Sequence, residues 1–162
     1  MNTHARSLPA TVVRLYTIGA GWADAVQPVF ALAVRLYVAR VFFLSGLTKL
    51  HDWNITVALF TNEYHVPFFM PQVAAALGTT AEIGLPVLLA LGLGSRLAAA
   101  ALFVFNIVAV ASYPDLSDAG LVDHMLWGAL MLVTLVYGPG KASLDYWLGR
   151  RYLERGNAQS RA

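Results

Sequence analysis

The sequence contains no cysteine, and only 12% of its 162 residues are charged. Without cysteine, thiol–disulfide chemistry, iron–sulfur ligation and c-type haem attachment are excluded within this chain. Ordinary soluble domains carry roughly 25% charged residues, so this chain has too few to resemble a soluble domain. The shortage of charge therefore points to a lipid environment.

Hydrophobic residues make up 58% of the chain and are concentrated in four long blocks. A helix needs roughly 17–25 mostly apolar residues to cross a bilayer, and each block reaches or approaches that length. We therefore predict an all-α fold, an integral membrane four-helix bundle that forms one domain. The predicted spans are residues 29–50, 71–94, 97–113 and 121–137.

Amphipathic segments flank the predicted membrane core of residues 29–140. Residues 1–28 and 141–162 each carry apolar side chains at helical spacing beside charged ones, which is typical of helices that lie on a membrane surface. Ser143 is the predicted N-cap of the C-terminal helix. The loop of residues 51–71 mixes aromatic and charged residues, so we expect a short helix there that ends near Pro67 and covers the bundle.

The basic residues predict the orientation of the bundle. Lys49 is the only Lys or Arg on the side of the membrane that carries the 51–71 loop. The positive-inside rule then predicts that both termini, which lie on the other side, are cytoplasmic. The net charge of +2 does not indicate a nucleic-acid partner, because these cations face anionic lipid headgroups. The other side carries Arg6, Arg14, Arg96, Lys141, Arg150, Arg151, Arg155 and Arg161.

Two charges inside the predicted spans are the main candidates for a functional site. Glu82 lies eleven residues inside Pro71 and Arg40 lies ten residues inside Leu50, so both are roughly 15 Å deep at 1.5 Å per residue. Each charge alone is costly at this depth, which predicts that they pair. Pro86 has no N–H for the carbonyl of Glu82 and frees a further acceptor at that level.

Other polar residues are secondary candidates. If the pair is functional, it lines a small polar cavity, to which Asn106 adds an amide. Arg35 is instead expected to extend back to the headgroups and to be structural. His51, His65 and His124 fall on the side of the 51–71 loop near carboxylates, and imidazoles with carboxylates bind Cu(II) or Zn. Their spacing matches no metal motif, so solvated loop histidines are the alternative interpretation.

Three stretches resemble the DoxX family when taken in order. They are "ARVFFLSGLTKL" (39–50), "AEIGLPVLLALGLGSRLAAAALFVFNIVAV" (81–110) and "DHMLWGALMLVTLVYGPGKASLD" (123–145). The resemblance implies a four-helix protein of the bacterial inner membrane with a link to redox physiology. Some relatives are small membrane subunits of thiosulfate–quinone oxidoreductase, and others accompany oxidative- or metal-stress proteins. The matching motif residues are Arg40, Gly46, Lys49, Glu82, Gly92, Arg96, Pro139, Gly140, Ser143 and Asp145.

Two interpretations of function remain open. In the first, the chain is the membrane subunit of a redox or stress-linked system and offers a quinone or proton site around Arg40 and Glu82, with Lys49 and Asn106 as further candidates. Any enzymatic activity is then that of an oxidoreductase subunit whose protein partner carries the redox centre, because no tightly bound cofactor is expected here. In the second, the chain is a non-catalytic membrane scaffold whose ion pair only fixes helix packing. Both allow an oligomer.

Overall fold

The computed structural model describes residues 9–159, with side chains described as far as residue 152. Arg6 and Arg161 of the charge count lie outside the described residues, as does the side chain of Arg155. The predicted all-α fold is confirmed, since residues 9–159 contain helices and no strand. The helices are α1 (Ala10–His51), α2 (Trp53–Asn62), α3 (Pro71–Leu91), α4 (Ser95–Ser112), α5 (Asp118–Tyr137) and α6 (Leu144–Gln159).

Four of these helices, α1, α3, α4 and α5, are long and apolar enough to cross a membrane. Their bounds follow the predicted spans closely, except that α1 begins at Ala10. The N-terminal segment that the sequence predicts as a separate surface helix thus continues into the first span. Pro28 lies inside α1, and helices in membranes tolerate proline where neighbouring groups satisfy the freed carbonyl.

The four spans form a closed bundle around a small apolar core. α1 packs most extensively on α3, α4 packs on α5 and α3, and α1 also contacts α5. Small residues on α4 let the helices approach closely where no hydrophobic force drives them together in lipid. The core consists of Val38, Phe42, Leu89, Ala98, Ala99, Leu102 and Met131.

The short helix α2 covers one end of the bundle, which we call the lid end. The Asp52 side chain caps α2 by accepting from the Ile55 N–H at 3.0 Å, and Thr56 Oγ1 donates to the Lys49 carbonyl at 2.7 Å. Phe60 of α2 packs with Ala74 and Ala75 of α3 in a second apolar cluster. The predicted covering helix is therefore present, but it ends at Asn62 rather than near Pro67.

The opposite end, which we call the basic end, contains the α3–α4 connection and residues 138–143. α5 ends at Tyr137, directly before the predicted stop at Pro139 and Gly140. The Ser143 hydroxyl accepts from the Tyr146 N–H at 3.2 Å, so the predicted N-cap of α6 is confirmed. Asp145 accepts from the Gly94 and Ser95 N–H groups at 2.7 and 2.8 Å, which satisfies free donors at the start of α4.

Candidate functional site

A buried ion pair joins α1 to α3 in the half of the bundle beneath α2. Lys49 Nζ lies 2.7 Å from Glu82 Oε2 and 2.8 Å from Oε1, and it donates to Oε1. Ser45, one helical turn before Lys49, donates to the same Oε1 at 3.1 Å and accepts from Nζ at 3.0 Å. Glu82 is only 6% exposed. A cation and a hydroxyl from one face of α1 thus bind the carboxylate.

The predicted pairing of Arg40 with Glu82 is wrong. Arg40 is exposed on the outer surface of α1, where it lines a shallow groove with Leu44 and Pro86. The buried face of α1 includes Val38, Phe42 and Gly46, and a residue two positions after Val38 points about 200° away from that face. Lys49 is seven residues after Phe42, about two helical turns, and therefore lies on the buried face again.

The depth argument failed because the two span ends are not level. Gly46, four residues from Leu50, packs directly against Glu82, which is eleven residues from Pro71. α3 therefore begins roughly 10 Å further out than the end of the first predicted span. A Cβ on Gly46 would lie 3.0 Å from Glu82 Cβ and 2.7 Å from Ile83 Cγ1, so glycine is required for this contact.

Two cavities flank the Glu82 carboxylate. One, of about 350 Å³, lies under α2 between α3 and α4, and its polar lining includes Lys49, Tyr64 and Ser112. The other, of about 190 Å³, lies towards α5 and includes Ser45, His124 and Trp127. Glu82 lines both, as do Tyr64, Phe105 and Ala109. The first falls within the range of volumes typical of small-molecule sites.

Several polar atoms at these cavities lack a hydrogen-bond partner. Glu82 Oε2 contacts the Lys49 ammonium but receives no aligned donor among the described residues, and the buried Trp127 Nε1–H has no acceptor there. Such groups are costly to bury unsatisfied. Glu82 Oε2 and Trp127 Nε1–H are therefore an unsatisfied acceptor and an unsatisfied donor in residues that line these cavities.

Tyr64 supplies a second donor beside Glu82. Its ring lies between Phe60, at a centroid distance of 4.9 Å, and Tyr113, at 5.1 Å. Burial, reinforced by the negative charge of Glu82, raises the pKa of the Tyr64 hydroxyl above its usual value of 10.0. The hydroxyl therefore keeps its proton at neutral pH and can donate it in a hydrogen bond.

The histidines predicted as metal ligands are not brought together. His51 and His65 are exposed near the lid end, and the His65 ring lies against the Glu63 carbonyl at 3.1 Å. His124 instead contacts Asn106, whose amide donates to the His124 carbonyl at 3.0 Å. Among the described residues no group of three or more potential metal ligands exists.

His124 lines the smaller cavity, whereas Asn106, the predicted source of an amide for the site, lines neither cavity and contacts His124 from α4. His124 Nδ1 lies 2.7 Å from Asn106 Oδ1, and the Asn106 Nδ2 group already donates elsewhere, so Nδ1 carries the proton. The neutral ring then has Nε2 as its acceptor. The Trp127 indole packs edge-on against His124 at 4.8 Å, which links this pair to the smaller cavity.

The DoxX family model matches residues 30–114, just over half of the chain. The chain belongs to the DoxX family. It is also similar to the inner membrane protein YphA of Escherichia coli (strain K12), with 29% identity over 75% of this chain and 91% of that protein. No solved structure matches the chain.

The DoxX motif residues fall into two groups in the fold. Gly46, Lys49 and Glu82 meet at the lid-end site, whereas Gly92, Arg96, Ser143 and Asp145 gather at the basic end. Arg40 belongs to neither group. The sequence missed Ser45, Tyr64 and Trp127 as site residues. Ser45 was detectable as the residue one turn before Lys49, but nothing in the local sequence places Trp127 near Glu82.

Arg35 is the centre of the basic end, and the prediction that it extends to the headgroups is wrong. Its side chain is 0% exposed, and it donates to the carbonyls of Leu89 at 3.2 Å and Ala90 at 3.3 Å and to that of Ala142. The last carbonyls of a helix have no partner within it, so α3 offers acceptors and a favourable dipole there. Arg35 therefore connects the end of α3 to Ala142 from a buried position.

Asp145 completes this arrangement from α6. Burial disfavours its carboxylate, but the hydrogen bonds from the Ser95 and Gly94 backbone, with the Arg35 charge nearby, outweigh burial and lower the pKa of Asp145 below its usual value. The carboxylate therefore stays ionised at neutral pH. Its N–H donates to the Gly92 carbonyl at 2.9 Å, which fastens the start of α6 to the α3–α4 connection.

Proposed function

We propose that this DoxX protein is the membrane subunit of a redox or stress-linked system of the bacterial inner membrane, and that it binds a quinone headgroup beside Glu82. The observation that carries the proposal is the buried Lys49–Glu82 pair between two cavities whose lining leaves Glu82 Oε2 and Trp127 Nε1–H unsatisfied. The inner-membrane location agrees with the name of the Escherichia coli relative and with four apolar helices of spanning length.

The residues present fit a quinone headgroup in size and chemistry. The larger cavity has mostly apolar walls, including Phe60, Leu77 and Phe105, which suit the ring and the start of an isoprenoid tail. A quinone carbonyl accepts hydrogen bonds, for which Tyr64 is a donor in the larger cavity and Trp127 is a donor in the smaller cavity on the other side of Glu82. A quinol hydroxyl donates, for which Glu82 Oε2 is an acceptor.

The ion pair also suits proton transfer at this site. When bound, a quinone supplies two-electron, two-proton chemistry, and the electrons pass to or from a partner protein of this chain. Glu82 would accept one hydroxyl proton at Oε2, and Lys49 would stabilise the carboxylate before that transfer and again once the proton has left. α2 covers the larger cavity and excludes water, which strengthens these electrostatic interactions.

A binding measurement with a matched control tests the quinone site. The full-length protein in detergent is titrated with a short-chain ubiquinone and the bound fraction is read by native mass spectrometry. Trp127→Phe removes the unsatisfied N–H and is expected to weaken binding by about threefold to tenfold, the range for one hydrogen bond. Trp147→Phe is the control, because Trp147 is exposed on α6, and it should bind like the wild type.

Two results would contradict the quinone site. Equal affinity for the wild type and Trp127→Phe would remove the proposed contact. No quinone bound by the wild type at concentrations near the micromolar range would favour the scaffold interpretation, in which Lys49 and Glu82 only fasten α1 to α3. The close contact of Gly46 with Glu82 is the observation that supports that second function.

The orientation of the bundle is a further part of the proposal, with the basic end in the cytoplasm. Lys49, the one cation predicted on the opposite side, is neutralised by Glu82, so the charge difference between the two ends is larger than the sequence count indicates. A reporter fused after residue 162 should give a cytoplasmic signal, and one inserted within residues 115–117 should give a periplasmic signal. Matching signals from both sites would overturn this orientation.

A further inference from the structure

A cleft of about 600 Å³ opens at the basic end, between the N-terminal half of α1, the end of α5 and residues 138–143. It lies at the end of the bundle opposite to the quinone site and shares no lining residue with it. One wall is apolar, and the rim is basic. The apolar wall includes Phe30, Val34, Val133 and Tyr137, and the basic residues of the rim are Arg96 and Lys141.

The two cations of the rim have no carboxylate partner. Arg96 and Lys141 are exposed, and neither forms an ion pair within the part of the chain that the structure describes. Asp145 also lines the cleft, but its two oxygens already accept from the Gly94 and Ser95 N–H groups. The two cations still outnumber this one carboxylate, so the cleft presents a net positive charge to an occupant.

The backbone at Gly138 provides the space that the Arg96 side chain occupies. Its guanidinium lies against Gly138, where a Cβ would sit 3.3 Å from Nη2. Gly138 has φ +83, a conformation that L side chains rarely adopt. The residue that ends α5 thus leaves room for the guanidinium beside the backbone, close to Lys141 in the same connection.

The apolar wall of the cleft is continuous with the lipid-facing surface of the bundle. Phe30 and Tyr137 are largely exposed side chains; Phe30 lies near the start of the first predicted span, within α1, and Tyr137 ends α5. At the ends of spans, basic side chains lie at the level of the lipid headgroups while the wall below them contacts acyl chains. The two halves of the cleft match the two halves of a phospholipid.

We propose that this cleft binds an anionic phospholipid, with its phosphate between Arg96 and Lys141 and an acyl chain along Phe30, Val34 and Val133. A free phosphate shares the charge but makes no use of the apolar wall. Anionic lipid bound there also bridges α1 to residues 138–143 and stabilises the basic end.

Native mass spectrometry of the full-length protein tests the site with two defined lipids. Dioleoyl phosphatidylglycerol is expected to bind the wild type at least about fivefold more tightly than dioleoyl phosphatidylcholine. Arg96→Gln with Lys141→Gln should weaken phosphatidylglycerol binding by about tenfold or more, because each cation near a membrane surface contributes to attraction of anionic lipid. Arg96→Lys with Lys141→Arg keeps both charges and should retain most of the binding.

The control removes the same amount of charge elsewhere at this end. Arg14 and Arg151 are exposed on α1 and α6 and do not line the cleft, so Arg14→Gln with Arg151→Gln should bind like the wild type. Equal losses in the two double variants, or equal affinity for the two lipids, would overturn the proposal. Competition by millimolar inorganic phosphate would overturn the lipid as occupant and assign the cleft to a soluble anion.

Discussion

Glu82→Gln is expected to lower the free energy of unfolding by about 3 kcal/mol, the largest loss among changes to the lid-end site. The change leaves the Lys49 ammonium, only 12% exposed, without its counter-charge. Reversible unfolding by SDS titration in mixed micelles measures the loss. Gln has nearly the same volume as Glu, so the substitution causes little steric damage at Gly46. The experiment therefore measures the effect of removing the charge.

Arg40→Gln is the matched control for this prediction. Arg40 lies on α1 nine residues before Lys49, the partner of Glu82, but it is exposed. We expect it to change the free energy of unfolding by less than about 1 kcal/mol, as surface substitutions do. Lys49→Met combined with Glu82→Gln should recover part of the single-variant loss, since the uncompensated charge is then gone. An Arg40→Gln loss as large as that of Glu82→Gln would restore Arg40 as the partner.

Arg35→Met is the second change with a large expected effect. It removes the donors that the carbonyls of Leu89, Ala90 and Ala142 receive, and each buried carbonyl left unsatisfied costs about 1–3 kcal/mol. We expect a loss of about 3 kcal/mol in the free energy of unfolding. Because Arg35 links the Ala142 carbonyl to the end of α3, trypsin should also cut faster at Lys141.

Arg14→Met serves as the control, since Arg14 is an exposed arginine on the same helix. It should leave both the unfolding free energy and the rate of cutting close to the wild-type values. Arg35→Lys should be intermediate, because a lysine keeps the charge but lacks the planar fork of five donors. Arg35→Met behaving like Arg14→Met in both measurements would show that the buried guanidinium does not hold the basic end together.

Local features of the sequence were sufficient for the elements of the fold. The apolar blocks predicted the four spans, Ser143 predicted the start of α6, and the aromatic loop predicted the covering helix α2. These features act over one or two helical turns or over the thickness of a bilayer, so they can be recognised without knowing how the helices pack.

The partner of Glu82 could not be found in the same way. In a helix that is apolar on every side, as α1 is, the hydrophobic pattern does not indicate which face is buried. Arg40 and Lys49 were both plausible partners of Glu82. Which of them pairs with it depends on the rotation of α1 about its axis and on the offset of α1 along α3. Gly46 was the useful sign, because a glycine in a span marks a close helix contact and Lys49 lies three residues after it.

By itself, the sequence determined a four-span membrane bundle of the DoxX family, the capped ends of its helices, and Glu82 as a buried charge that needs a partner. Only the tertiary structure decided that this partner is Lys49, that Trp127 and His124 face the same site from α5, and that Arg35 is buried rather than at the headgroups. The physical reason is the distance along the chain over which each kind of interaction acts. Hydropathy and capping depend on neighbouring residues, whereas charge pairing depends on distances between helices that are far apart in the chain.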